Sequence, residues 1–143
     1  MFSFESSIEH YTADAFVVRC FDDRFLAASD AFLAKLNIGH KDPESVAGGA
    51  TIFSSPESPG DADFMLRELG KSIRLHHTTK AKLFVHHDCG AHGGFGRFEN
   101  DPAKELSFFQ EEYPKIVAAI HDKYPDIEIE MYFIDEQGVI QIS

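Results

Sequence analysis

Residues 15–24 (AFVVRCFDDR) and 83–91 (LFVHHDCGA) decide the fold of this chain. Each stretch opens with a short apolar run, which predicts a buried strand, because an internal parallel strand is apolar on both faces. Each run is followed by a cysteine and then by residues typical of a loop. The pattern therefore predicts two buried strands that carry Cys20 and Cys89 at their carboxyl ends.

Strand and helix patterns alternate along the chain. Strands are predicted over residues 15–20, 83–87, 127–134 and 139–142, with a short one over 44–50 that enters a glycine turn. Helices are predicted over residues 24–38, from a cap at Asp61 or Asp63 to about residue 76, and from Pro102 to about residue 123. Gly39 is expected to end the first helix in a left-handed conformation. The alternation predicts one α/β domain over residues 1–143, with a mainly parallel sheet of four to five strands flanked by helices and a last strand that could be antiparallel.

The composition is that of a globular protein and argues against two kinds of partner. Of the 143 residues, 43% are hydrophobic and 26% are charged, which suffices for a packed core. The formal net charge of −11 disfavours nucleic acid and anionic membrane surfaces, because both would repel the chain. No apolar run approaches the roughly 18 residues of a membrane span, and the first residues show no apolar signal core. With only two cysteines, too few for a disulfide scaffold, we expect a cytoplasmic protein.

The spacings around the two cysteines suit a metal site. Cys20 opens a Cys-x-Asp-x-Arg pattern, and Cys89 closes a His-x-x-Cys pattern that begins at His86. The carboxyl ends of parallel strands form the ligand crevice of an open α/β sheet, so these distant residues could share one ion. Two thiolates and one imidazole suit zinc, and three protein ligands leave a fourth position for water. His87 should point away from His86, because successive strand residues face opposite sides.

The segments CFDDR and HHDCGA resemble the two zinc-binding motifs of β-class carbonic anhydrases. Looser similarity lies in VAGGA and YFIDEQGVI, and the ordered resemblance runs from about residue 17 to residue 140. The resemblance implies that Cys20, His86 and Cys89 bind Zn²⁺ and that Asp22 and Arg24 form a catalytic pair beside it. It also implies a lyase that converts carbon dioxide to bicarbonate through zinc-bound hydroxide, and a homodimer or larger homo-oligomer.

The pairing of Asp22 with Arg24 has a physical rationale. An aspartate so close to zinc would either bind the ion and close the site, or be held away by a bidentate bond to guanidinium. An ordinary surface ion pair is the alternative interpretation.

Other functions remain open at this level. The same scaffold could hydrolyse carbonyl sulfide or carbon disulfide, or the chain could be a non-catalytic zinc-binding module. A structural zinc site is a further alternative, and a redox dithiol has little support because no Cys-x-x-Cys spacing occurs. His92, in the glycine-rich loop, could shuttle protons, although an exposed loop histidine is the favoured interpretation.

Overall fold

A computed structural model describes residues 1–142 of the chain. Within these residues the chain forms one five-stranded sheet and three α-helices. The strands are β1 (Ala15–Arg19), β2 (Lys41–Ser45), β3 (Lys80–His86), β4 (Glu128–Ile134) and β5 (Val139–Ile142). The helices are α1 (Asp23–Lys35), α2 (Pro59–His76) and α3 (Pro102–His121).

The sheet confirms the predicted α/β architecture. Its strand order is β2-β1-β3-β4-β5, with parallel pairing throughout except between β4 and β5, which are antiparallel. The chain leaves β1 for β2 on one side and later returns to form β3 on the other side. The strand order therefore reverses between β1 and β3, and an open α/β sheet has its ligand crevice at such a point.

Alternate residues of the strands fill two apolar cores. Phe16 and Val18 of β1 join the larger core, which α2 and α3 cover, while Ala15 and Val17 face the smaller core beneath α1. Phe109 of α3 is fully buried in the larger core. Burial of one such large side chain contributes about 1.5–3 kcal/mol to stability. The sheet is therefore fixed from both sides, with β1 and β3 at its centre.

The second strand differs from the prediction. It spans Lys41–Ser45, ahead of the glycines, and the expected strand residues continue into a 3₁₀ turn over Gly49–Phe53. The sequence of β2 (KDPES) lacks an apolar run because β2 lies at the edge of the sheet, where charges and Pro43 are tolerated.

Two helix ends also differ from the prediction. Asn37, and not Gly39, takes the left-handed conformation after α1, with φ of 59°; asparagine tolerates this region well. Ser58 caps α2, and Asp61 completes a capping box from the third helical position instead of being the cap itself. Among residues 1–142, no helix combines the length and apolar character needed to cross a bilayer.

Candidate metal centre

The carboxyl ends of β1 and β3 bring the three predicted ligands together. Cys20 directly follows β1, His86 is the last residue of β3, and Cys89 lies three residues beyond it. β1 and β3 are hydrogen-bonded neighbours in the sheet. One ligand atom from each of the three residues lies within 4.8 Å of the other two, and all three residues are buried. In the described part of the chain this is the only group of three or more His, Cys, Asp or Glu side chains close enough together to hold a metal ion.

The ring of His86 is oriented by its neighbours. Its Nδ1 donates a hydrogen bond to the carbonyl oxygen of His87 at 2.7 Å, so the neutral ring carries its proton on Nδ1. The ring of Phe25 stacks on it with 4.7 Å between centroids. Nε2 is buried and has no hydrogen-bond partner. A buried imidazole nitrogen without a partner is costly unless it binds a ligand, so Nε2 is available as a metal donor.

The two cysteines share one proton in the metal-free protein. The hydrogen bond from the Cys89 thiol, together with backbone amides, lowers the pKa of Cys20 to about 4, although burial opposes the shift. The neighbouring Cys20 sulfur, together with burial, raises the pKa of Cys89. Both thiols are free and buried. One thiolate is therefore already present, and a cation would displace the proton from the second sulfur.

The backbone of the 3₁₀ turn comes very close to the metal-binding strands. At Gly49 a Cβ atom would lie 2.3 Å from the carbonyl oxygen of Phe84 and 2.9 Å from the amide nitrogen of Cys20. Gly49 also has a φ of 57°, in the left-handed region. Only glycine permits this approach, so the segment VAGGA closes one side of the site.

Asp22 and Arg24 form the predicted pair. The Arg24 guanidinium donates to both carboxylate oxygens of Asp22, with Nε–Oδ1 at 3.0 Å and Nη2–Oδ2 at 2.7 Å. These bonds lower the pKa of Asp22 to about 2. Oδ2 of Asp22 lies 3.9 Å from Nε2 of His86, so the carboxylate is beside the metal-binding atoms. Asp22 is also the N-cap of α1, because Oδ1 accepts from the Arg24 backbone amide at 3.1 Å.

Two acidic residues of the site were missed in the sequence analysis. Asp88 accepts a hydrogen bond from Nη1 of Arg24 at 3.1 Å. Glu105 of α3 is buried and accepts from the Asp88 amide at 2.8 Å and from Nδ1 of His87 at 2.6 Å. His87 thus points away from His86, as expected. Asp88 had a sequence signal in its position between two candidate ligands, whereas Glu105 had none.

The expectation of an exposed His92 is wrong. Its side chain is buried, and Nε2 lies 3.0 Å from Oγ1 of Thr51. Burial lowers the pKa of His92. His92 lies next to the 3₁₀ turn and lines a pocket of about 700 Å³ together with Gly48, Gly90 and Ala91. The pocket is therefore bounded by the residues next to Cys89.

The donor set fits zinc. Two sulfurs and one imidazole nitrogen are the ligands that this borderline-soft ion prefers. The free Nε2 lone pair of His86 and the burial of all three ligands agree with an ion at their centre. Three protein ligands would leave the fourth position of a tetrahedral ion open.

Sequence comparison identifies no relative: no family model matches the chain, and no curated protein matches it. Comparison of folds finds solved structures with a similar fold. A carbonic anhydrase from Streptococcus mutans is similar with a TM-score of 0.63 and 20% identity, over 94% of this chain and 84% of that one. The β-carbonic anhydrase isoform I of Trichomonas vaginalis is similar with a TM-score of 0.62 and 18% identity, over 98% of this chain and 87% of that one. A carbonic anhydrase from Glaciozyma antarctica has a TM-score of 0.58 and 18% identity, over 94% of this chain and 84% of that one. The chain therefore has the β-carbonic anhydrase fold.

Proposed function

We propose that this protein is a zinc-dependent lyase, similar to carbonic anhydrase, that reversibly hydrates carbon dioxide to bicarbonate. The observation that carries the proposal is the group formed by Cys20, His86 and Cys89, buried and within 4.8 Å, beside an Asp22 that Arg24 holds in a bidentate ion pair. The likeness to carbonic anhydrases supports the same chemistry.

Each residue of the site has a distinct role in this proposal. Cys20, His86 and Cys89 would hold the zinc ion, which when bound would supply a Lewis acid that makes water nucleophilic near neutral pH. The carbonyl oxygen of His87 keeps the proton of His86 on Nδ1, so Nε2 is free to bind. Arg24 occupies both oxygens of Asp22 and so keeps the carboxylate from filling the fourth metal position.

The pocket beside Cys89 supports access for a small neutral substrate. Its wall combines apolar side chains, among them Val46, Ile52 and Phe64, with polar ones such as Ser55, Glu57 and Asp61. Carbon dioxide has no net charge and partitions into apolar surroundings, so the apolar part of this wall suits its entry. The acidic surface of the protein would not attract the bicarbonate product, which favours its release.

Stopped-flow measurement of carbon dioxide hydration by the zinc-loaded protein tests the proposal. We expect a rate well above the uncatalysed background and its loss in Cys89→Ala, because that variant has two ligands instead of three. Carbonyl sulfide offered under the same conditions distinguishes the related hydrolase. If the loaded protein binds one zinc ion per chain but both substrates react at background rates, the non-catalytic zinc module is the correct function.

We also propose that the protein is a cytoplasmic homodimer or larger homo-oligomer. Two buried, unpaired thiols suit a reducing compartment. Several large apolar side chains are exposed on the single chain, including Phe64, Leu75 and Ile140, and an interface would cover them. Light scattering coupled to size exclusion measures the assembly directly, and a monomeric mass at micromolar concentration would contradict the oligomer.

A further inference from the structure

Arg24 bridges two carboxylates that come from different strands. Besides its bidentate bond to Asp22 after β1, its Nη1 donates to Oδ2 of Asp88 at 3.1 Å and its Nη2 to the Asp88 carbonyl oxygen at 3.2 Å. Asp88 belongs to the turn after β3, between His86 and Cys89. The guanidinium is therefore tied to both halves of the metal centre.

Asp88 is itself held firmly. Its Oδ1 accepts from the Phe95 backbone amide at 2.8 Å, and its own amide donates to Oε1 of the buried Glu105 at 2.8 Å. Its backbone has a φ of 53°, a left-handed conformation that the turn imposes. The Oδ2 atom is thus presented to Arg24 by a turn with fixed geometry, although the Asp88 side chain is 42% exposed.

The position of Arg24 depends on such an anchor. More than half of its side chain, 54%, is exposed to solvent, and an exposed ion pair between two neighbouring residues at a helix start is weak. Asp22 alone would leave the guanidinium free to turn outward together with the carboxylate. A second carboxylate, in the turn after the neighbouring strand β3, restricts that motion, because the guanidinium is then hydrogen-bonded on two sides.

We propose that Asp88 is a positioning residue that, by anchoring Arg24, keeps Asp22 off the metal and the fourth coordination position open. The inference rests on the proposed metal centre and adds a third member to the Asp22 and Arg24 pair. Without the anchor, Asp22 needs to move only a short way, since Oδ2 lies 3.9 Å from Nε2 of His86.

Azide binding to the cobalt(II)-substituted full-length protein reports whether the fourth position is open. Azide perturbs the visible absorption of cobalt only where it can enter the coordination sphere. Asp88→Asn keeps the side-chain volume, tolerates the left-handed backbone and can still accept from the Phe95 amide, but it presents an amide group to Arg24. We expect azide affinity to fall about tenfold, as for loss of one coupled contact.

The same substitution in an Asp22→Asn background separates positioning from general loosening. No carboxylate at position 22 can then close the site, so Asp88→Asn should change azide affinity by less than about twofold. The matched control is Asp30→Asn, which removes the carboxylate of another arginine pair, Arg19–Asp30 at 2.8 Å, and should leave azide affinity unchanged. Arg24→Lys is the second variant, because a single ammonium cannot bridge both carboxylates; it should weaken azide as Asp88→Asn does.

The outcomes distinguish this inference from the proposed function. If cobalt binds and Asp88→Asn leaves azide affinity unchanged, or weakens it equally in both backgrounds, Asp88 has no positioning role. If the azide results are as expected but carbon dioxide is hydrated at the background rate, only the proposed function fails. If the chain binds neither cobalt nor zinc, both are wrong.

Discussion

Substitution of Gly49 by alanine should damage the fold and the metal centre together. The new Cβ would lie 2.3 Å from the Phe84 carbonyl oxygen, on β3, and 2.9 Å from the Cys20 amide nitrogen, at the end of β1. Both obstacles are backbone atoms of the central strands, so no side-chain rotation relieves the contact. The turn has to move by about 0.7 Å to restore even a 3.0 Å separation, in a core packed as densely as a crystal.

The expected loss of stability follows from two costs. The left-handed conformation at φ 57° costs alanine roughly 1–2 kcal/mol relative to glycine. Displacement of the turn adds an overpacking cost of about 1–3 kcal/mol. We therefore expect the free energy of unfolding to fall by about 2–5 kcal/mol, and the Tm of a chain of this size by roughly 10 °C.

Thermal unfolding of the zinc-loaded and zinc-free proteins measures the effect. We also expect weaker zinc binding in Gly49→Ala, because the Cys20 amide is displaced. The matched control is Gly90→Ala beside Cys89, where an added Cβ has no neighbour within 4 Å. A Tm for Gly49→Ala within about 2 °C of the unchanged protein would refute the close approach, since even the conformational cost alone exceeds that shift.

Three further predictions concern the metal and its neighbours. His86→Ala should weaken zinc binding by more than about 100-fold and abolish the rise in Tm that zinc produces, measured by chelator competition and calorimetry. Zinc affinity should rise with pH between 6 and 8, by about tenfold per pH unit for each proton that zinc displaces. The reason is that the raised pKa of Cys89 keeps its thiol protonated, so zinc must displace that proton. Cys20, with a pKa of about 4, is already ionised in this range. Calorimetry in two buffers counts these protons, and a count of zero would contradict the shared-proton pair. Arg24→Ala should retain zinc yet hydrate carbon dioxide near the background rate, because Asp22 is then released; full activity would show that the pair has no mechanistic role.

The central strands and the ligand set were readable from the sequence because their signals are local. A short apolar run marks β1 and the second half of β3, where the strands are covered on both faces. The edge strand β2 was misplaced for the opposite reason: its solvated side permits charges and a proline, so it carries no apolar pattern. A strand that is buried on both faces can therefore be recognised from its sequence, whereas an exposed edge strand cannot.

The rest of the site depends on contacts that only the folded chain creates. Glu105 resembles any helix carboxylate in sequence, yet α3 carries it under the turn after β3, where it is almost completely buried. His92 resembles an exposed loop residue until the 3₁₀ turn supplies Thr51 beside its ring. The link between Arg24 and Asp88 spans 64 positions, beyond the reach of any local pattern.

The cap at the start of α1 links helix ends to metal coordination. Asp22 caps α1 through Oδ1, so any movement of Asp22 toward the ligand atoms that broke this bond to the Arg24 amide would also fray the first turn of the helix. An N-cap aspartate is worth about 1 kcal/mol, which biases the two arrangements by roughly fivefold. The helix–coil equilibrium of one turn and the coordination number of the ion are therefore thermodynamically coupled, and solutes that strengthen α1 would favour the three-ligand form.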